Sequence, residues 1–169
     1  MMKPGCGDNM TAPSPASKSP SPTPLKRTTH WATREFHQFL RQRANTAFAW
    51  GKNDCALYAA DAIKSFTGID LAADFRGKYN DQPTALAAIR NITGGRTVAD
   101  AAVYAAKKHG LEERKYPLMA QRGDLVLIQN GDGNLIAGIV HLNGRHAVSV
   151  GEGGMKRFPI TAVKRAWKV

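Results

Sequence analysis

The chain has 169 residues, 43% of them hydrophobic, and a formal net charge of +11. This length suits one domain with a real core and is short for two, and the sequence has no run of about 18 apolar residues that could span a membrane. The first residues are polar and proline-rich, so we expect no secretory signal and synthesis in the cytoplasm. The positive charge favours acidic partners such as nucleic acid, an anionic cell-wall polymer or an acidic protein surface, and does not choose among them.

Residues 1–29 differ in composition from the rest of the chain. They hold six of the nine prolines, with serines between them. Because proline fixes φ and lacks a backbone donor, this segment predicts an extended arm that needs a partner, and we expect it to lie on a neighbouring chain. The folded domain is predicted at residues 30–169.

The first half of that domain reads as helices. Apolar spacing and capping residues mark each helix. The predicted helices are Thr33–Asn45, Cys55–Phe66 with Asn53 or Asp54 as its cap and Gly68 beyond its end, a third between Asp81 and Gly94, and Val98–His109 after the cap Thr97.

The second half reads as strands. The predicted strands are Leu125–Ile128, Leu135–Leu142, Arg145–Val150, Phe158–Ile160 and Val163–Val169. Asn143-Gly144 predicts a two-residue hairpin turn that pairs His141 with His146. Helices followed by a mostly antiparallel sheet predict the α+β class.

Cys55 is the candidate nucleophile, because a thiol at a helix start is close to unpaired N–H groups that favour the thiolate. The alternative is a small buried apolar side chain, which is how most free cysteines behave. A disulfide between Cys55 and Cys6 is not favoured, because Cys6 belongs to the arm. The sequence shows no metal-ligand spacing and no phosphate-binding loop, so no metal or cofactor is expected.

Several short motifs occur in a characteristic order between residue 30 and the C-terminus. They are Phe48-x-Trp50-Gly51, Asp54-Cys55-Ala56-Leu57, Thr67-Gly68-x-Asp70, Phe75-Arg76-Gly77-x-Tyr79, Arg122-Gly123-Asp124 and Ala166-Trp167-Lys168-Val169. In this order the chain resembles a small domain family of tailed phages and prophages, related to the NlpC-type cell-wall cysteine peptidases. The resemblance implies a papain-like fold, a location in the phage tail within the virion, and other tail proteins as partners.

The resemblance also shows a departure from the peptidase pattern. The peptidases carry a histidine two residues before the strand glycine, and here Ile136 precedes Gly138. His141 and His146 are the alternative bases if the site is active. His141 alternates onto the face opposite Ile136, so it could serve only if the Cys55 helix packs on that face. Otherwise both histidines are expected at the surface or at an edge strand.

Three functions follow from these observations. The first is a structural protein of the phage tail or tail tip, with a degenerate peptidase site. The second is an active cysteine peptidase or amidase that cleaves peptidoglycan during phage entry, with Cys55 as nucleophile and an oxyanion held by backbone N–H groups. The third, a basic nucleic-acid-binding protein, has the charge but lacks a recognised binding motif. The three tryptophans are expected to seal the core rather than to stack on ligands.

Overall fold

The computed structural model describes residue 22 and residues 24–169. Cys6 and most of the predicted arm therefore lie outside the described residues. The helices are α1 (Phe36–Arg43), α2 (Cys55–Thr67), α3 (Gln82–Thr93) and α4 (Val98–Lys108). The strands are β1 (Glu112–Glu113), β2 (Leu125–Gln129), β3 (Leu135–Val140), β4 (His146–Gly151), β5 (Gly154–Pro159) and β6 (Val163–Lys168).

The strands form one sheet in the order β1-β6-β2-β3-β4-β5, with every neighbouring pair antiparallel. The helices precede the sheet in the chain, so the predicted α+β class is confirmed. Within the described part of the chain, no helix is both long and apolar enough to cross a bilayer.

The predicted caps account for the helix boundaries. The Asp54 side chain accepts a hydrogen bond from the backbone N–H of Leu57 at the start of α2, and Gly68 ends that helix with φ +75°. Asp81 and Thr97 cap α3 and α4 through reciprocal capping boxes. The first helix differs from its prediction: it begins as a π-helical turn at Trp31–Glu35 and ends at Arg43.

The hairpin between β3 and β4 has the predicted register. Val140 pairs with Ala147, and the backbone N–H of His141 donates to the carbonyl oxygen of His146 over 2.8 Å. The strand β1 was not predicted, because two exposed glutamates have no strand pattern of their own. They pair with the end of β6, so this strand depends on a tertiary contact.

The two faces of the sheet bury different sets of side chains. On one face Ala137 and Ile139 of β3 pack against the core that includes α1, α2 and α4. On the other face Val140 joins a smaller core, and Ile136 packs against it. Adjacent residues of β3 thus point into different cores, which follows from the alternation of side chains along a strand. The helix α2, with Cys55 at its start, lies on the face of Ala137.

The contacts of the domain begin before His30. Leu25 packs against the main core, and the backbone N–H of Thr28 donates to the carbonyl oxygen of Phe66 over 2.8 Å. Arg27 donates to the backbone oxygens of Val169 and Arg122 over 2.8 and 2.9 Å. The last residues of the predicted arm are therefore attached to the domain.

Candidate functional site

The candidate site is the start of α2, where Cys55 is the first helical residue and Asp54 is the cap. Asp54 is only 1% exposed, and its Oδ1 accepts from the backbone N–H of Leu57 over 3.0 Å. A short carboxylate side chain at this position satisfies an N–H group that the helix itself leaves unpaired. The cap therefore fixes the backbone from which the Cys55 side chain projects.

The second carboxylate oxygen of Asp54 is also engaged. Its Oδ2 accepts from the Tyr79 hydroxyl over 2.7 Å and from the backbone N–H of Gly51 over 3.0 Å. Burial, followed by the hydrogen bond to Asp54, raises the pKa of the Tyr79 hydroxyl well above its usual range. Tyr79 thus acts as a fixed donor that connects the segment after α2 to the start of α2.

Gly51 lies against the backbone of Tyr79. Its φ is +70°, and a Cβ built on it would be 2.2 Å from the carbonyl oxygen of Tyr79. Glycine adopts this backbone conformation without steric cost and leaves room for the carbonyl. The motif residues Gly51, Asp54 and Tyr79 are therefore brought together beside Cys55.

The Cys55 thiol is in an apolar environment that favours its neutral form. Burial raises the pKa of this thiol to about 11, and the nearby charge of Asp54 acts in the same direction. Hydrogen bonding with the backbone of Ala137 lowers the pKa and only partly opposes this effect. The thiolate that a cysteine nucleophile needs is therefore a minor species at neutral pH.

Aliphatic residues occupy both the position of the peptidase histidine and the β3 positions on the face of α2. Ile136, at the position where the peptidase pattern has histidine, packs against the smaller core on the opposite face. The neighbouring β3 residues Leu135 and Ala137 belong to the main core or pack against it. Val148, on the adjacent strand, is completely buried.

By strand alternation, His141 is on the same face of the sheet as α2, which is the condition for its use as a base. It is, however, at the wrong place along the strand. It follows Ala137 by four residues, a spacing of roughly 13 Å in an extended strand. His141 and His146 instead surround the hairpin turn, where Asn143 donates its backbone N–H to His141 Nδ1 over 3.2 Å. The Asn143 side-chain nitrogen lies 3.0 Å from His146 Nδ1. The structure therefore brings these two histidines together, and neither joins Cys55.

The charges around the hairpin oppose protonation of His141. Burial lowers the pKa of its imidazole, and the positive charge of Arg157 on β5 lowers it further. The charge of His146 also lowers this pKa, whereas a hydrogen bond with the Asn143 side chain raises it. Among the described residues, no group of three or more His, Cys, Asp or Glu side chains could hold a metal ion.

Cys55 lies in the wall of an open cavity of about 710 Å³. The wall includes Leu57 of α2, Ala85 of α3, Ala102 of α4 and Ala137 of β3. In the part of the chain that the structure describes, no histidine lines this cavity. The cavity has the size of a binding site for a small molecule or a short peptide, on the order of 300–1,000 Å³.

The comparisons with known proteins identify the family. Residues 26–169 match the family described as a domain of unknown function (DUF6950). The chain belongs to this family. The curated proteins searched include none that matches the chain.

The matched range begins before the first sequence motif and includes Arg27. Arg27 lies within the matched range, and its Nη2 is 3.4 Å from the Oδ1 of Asp124, which is completely buried. Arg114 holds the other oxygen of Asp124 with an Nε–Oδ2 distance of 2.9 Å. The family domain therefore starts before His30, and its first residues stabilise the Arg122-Gly123-Asp124 turn. No sequence signal points to this role, because Arg27 is one of several cations next to a proline-rich segment.

Residues of two further sequence motifs form an ionic network beside α2. Arg76 contacts the carboxylates of Asp61 and Asp70, and Arg43 donates to Asp61 over 2.8 Å. Arg43 also donates to the Asn53 side chain over 2.8 Å. These contacts connect α1, the loop before Cys55 and the turn after α2, so they position the site without touching the thiol.

The tryptophans of the family domain divide into two groups. Trp167 is 3% exposed, and Trp31 packs against the main core beside Phe66 at a centroid distance of 5.3 Å. These two have the core-sealing role that the sequence predicted. Trp50 is 38% exposed and lines the cavity that contains Cys55.

Proposed function

We propose that this chain is a structural protein of a phage tail or tail tip, built on an NlpC-like, papain-like scaffold whose peptidase site is degenerate. The order of its sequence motifs supports this proposal, as does the arrangement of a cysteine at a helix start against an antiparallel sheet. One observation carries the second half of the proposal: among the described residues, Cys55 lines its cavity without a histidine.

The chemistry of peptide-bond cleavage gives that observation its weight. The cysteine must lose its proton before attack, and a base must later return a proton to the leaving amine. Here the pKa of the thiol is raised to about 11, and aliphatic side chains occupy the adjacent sheet positions. Cys55 and its neighbours therefore act in this proposal as packing and binding groups.

The proposal places the protein in the virion, where its partners are other tail proteins. The predicted contact of the arm, residues 1–29, with a neighbouring chain stays a prediction, since most of that arm lies outside the described residues. The net charge of +11 is compatible with an acidic protein surface as partner.

An active cysteine peptidase or amidase acting on peptidoglycan is the second candidate. It is favoured by the position of Cys55 at the N-terminus of α2, in the wall of an open cavity large enough for a peptide. In that case His141 would have to approach Cys55 through a rearrangement of the hairpin. The third interpretation, nucleic-acid binding, rests on the charge alone.

The first experiment measures the rate at which iodoacetamide alkylates Cys55 as a function of pH, in the Cys6→Ser protein. We expect half-maximal reactivity near pH 11 and no lysis of purified cell wall by the wild-type chain. A midpoint well below the ordinary thiol pKa of about 8.5, together with lysis that Cys55→Ala abolishes, would support the peptidase and overturn the degenerate site.

A second experiment tests the tail assignment by itself. The proposal predicts that the protein is present in purified phage particles and that Cys55→Ala is incorporated as well as the wild type. Particles that assemble and infect normally without the protein would contradict the structural role. The nucleic-acid interpretation instead predicts that the wild type binds unrelated DNA at low salt with an affinity that falls steeply as salt is added. Absence of DNA binding at low salt would contradict that interpretation and leave the tail proposal unaffected.

A further inference from the structure

The interior of the Cys55 cavity is apolar almost throughout. Of the described residues that are buried in its wall, all are apolar except Asp54. Both oxygens of Asp54 already accept hydrogen bonds, from Leu57, Gly51 and Tyr79. A molecule in the interior therefore finds apolar surface and few free hydrogen-bonding partners.

This interior selects against a peptide and in favour of a hydrocarbon chain. A peptide would carry backbone N–H and C=O groups into the cavity, and leaving them without partners is costly. An alkyl chain has no such groups and gains by leaving water. Small side chains such as Ala85, Ala101, Ala102 and Ala105 form much of the helical wall and leave the space for such a chain.

The rim of the cavity is polar and carries a positive charge. The exposed side chains there include Gln82, Arg96 and Asn134. Arg96 is the one cation of the lining, and no ion pair engages it among the described residues. An anionic group at the mouth of the cavity would meet this guanidinium.

Two carboxylates lie in the segments that form the rim. Asp100 accepts hydrogen bonds from the backbone N–H groups of Arg96 and Thr97 over 2.8 and 2.9 Å. Asp132 belongs to the exposed loop between β2 and β3 but does not line the cavity. Neither of these carboxylates lines the cavity, so among the described residues at the rim the charged side chain of the lining is Arg96.

We propose that this cavity binds a single-chain fatty acid, with the alkyl chain between α2, α3, α4 and β3 and the carboxylate on Arg96. Apolar burial supplies the attraction for the chain, and the guanidinium selects an anionic head group. Trp50 and Leu86, which are 38% and 41% exposed, extend the apolar surface to the opening. This inference does not depend on the phage-tail proposal, and it requires no reaction at Cys55.

The test is titration calorimetry of the full chain with dodecanoate below its micelle-forming concentration. We expect saturable binding of one dodecanoate per chain. Dodecylammonium should bind at least about tenfold more weakly, since a hydrogen-bonded charge contact is worth about 1.4 kcal/mol or more. Arg96→Gln should weaken dodecanoate binding by a similar factor. Arg90→Gln, which removes an exposed arginine of α3 outside the cavity, is the matched control and should leave the affinity unchanged.

A second measurement locates the ligand. In ¹H–¹⁵N spectra, dodecanoate should shift the amide signals of Ala102 and Ala137. Ala102→Leu should reduce the affinity for dodecanoate by filling the cavity. The thermal unfolding midpoint of this variant confirms that it is folded. Absence of saturable binding by the wild type would overturn the proposal. Equal binding of dodecylammonium, an unchanged affinity in Arg96→Gln, or shifts confined to residues outside the cavity would overturn it as well.

Discussion

The hydroxyl of Tyr79 donates a 2.7 Å hydrogen bond to Asp54, the residue that caps α2 immediately before Cys55. The two residues are 25 positions apart, and each belongs to a different motif of the sequence. Their contact ties the segment after α2 to its first turn. The cap of the helix turn that begins with Cys55 is therefore engaged by a hydrogen bond that does not involve the thiol.

Replacing Tyr79 with phenylalanine should destabilise the fold. Tyr79→Phe leaves an oxygen of buried Asp54 with one donor fewer. We expect the free energy of unfolding to fall by about 1.5 kcal/mol. This is the lower end of the range for hydrogen bonds to charged groups, because Tyr79 is only partly buried. Urea denaturation measures this change. Tyr116→Phe is the control, because Tyr116 is 55% exposed, and an equal loss in both variants would contradict this role of Tyr79.

A side chain at Gly51 should disturb the same contact from the other side. In Gly51→Ala the new Cβ would meet the carbonyl oxygen of Tyr79, so the backbone of that segment has to move. Gly68→Ala provides a matched control, because Gly68 has a similar φ of +75° and nothing within 4 Å of the built Cβ. We expect Gly68→Ala to cost about 1 kcal/mol through the left-handed conformation alone.

Gly51→Ala should cost clearly more than Gly68→Ala in the same denaturation experiment. It should also change the near-ultraviolet circular dichroism of the aromatic residues near Cys55, since Trp50 and Tyr79 are adjacent to the altered backbone. Equal stabilities of the two variants would show that the close approach of Gly51 to Tyr79 does not constrain the site.

The raised thiol pKa predicts a loss of stability in alkaline solution. The folded state holds Cys55 neutral up to about pH 11, whereas an unfolded thiol ionises near pH 8.5. Ionisation therefore stabilises the unfolded state at a lower pH than the folded state. The contribution of Cys55 is therefore complete below about pH 8.5 and is lost as the pH rises towards 11, by up to about 3 kcal/mol.

This contribution can be isolated with Cys55→Ala in the Cys6→Ser background. The difference in unfolding free energy between the two proteins should be constant below about pH 8 and should shift in favour of Cys55→Ala between pH 8.5 and 11. Tyr58, whose hydroxyl pKa is also raised, is present in both proteins and does not depend on Cys55, so its contribution cancels in the difference. A difference that stays constant over the whole range would show that the thiol is not held neutral by its surroundings.

Arg27 should contribute strongly to stability although it precedes the predicted domain. It bridges Val169 and Asp124, and its guanidinium lies 4.1 Å from the ring centre of Trp31. We expect Arg27→Ala to lower the free energy of unfolding by about 2–4 kcal/mol, because the buried Asp124 loses one of its cations. Arg27→Lys should restore only part of this free energy. The three guanidinium nitrogens of Arg27 reach Val169, Arg122 and Asp124 separately, and the single ammonium nitrogen of lysine cannot replace all three contacts.

The neighbouring cation serves as the control for Arg27. Lys26 is exposed, and Lys26→Ala should leave the denaturation curve unchanged within about 0.5 kcal/mol. If both alanine variants had the same stability, the bridge from Arg27 to Asp124 would contribute nothing beyond surface charge.

The sequence by itself determined the starts of α2, α3 and α4, the hairpin register and the α+β class. These features depend on local chemistry: a short polar side chain such as Asp54 or Asp81 caps a helix wherever it precedes one, and the Asn143-Gly144 turn fixes which residues of β3 and β4 pair. The alternation along β3 likewise predicts that His141 and Ile136 lie on opposite faces. Neighbouring residues alone supply this information.

Only the tertiary structure decided which face of the sheet receives α2 and how far along β3 the Cys55 thiol lies. That position places Ala137 beside the thiol and leaves His141 at the hairpin. Strand alternation cannot make this distinction, because it determines the face on which a side chain lies and not which residue along the strand is next to the thiol. The contacts of Tyr79 with Asp54 and of Arg27 with Val169 are decided in the same way. They join residues 25 and 142 positions apart, so their geometry depends on the packing of the whole domain.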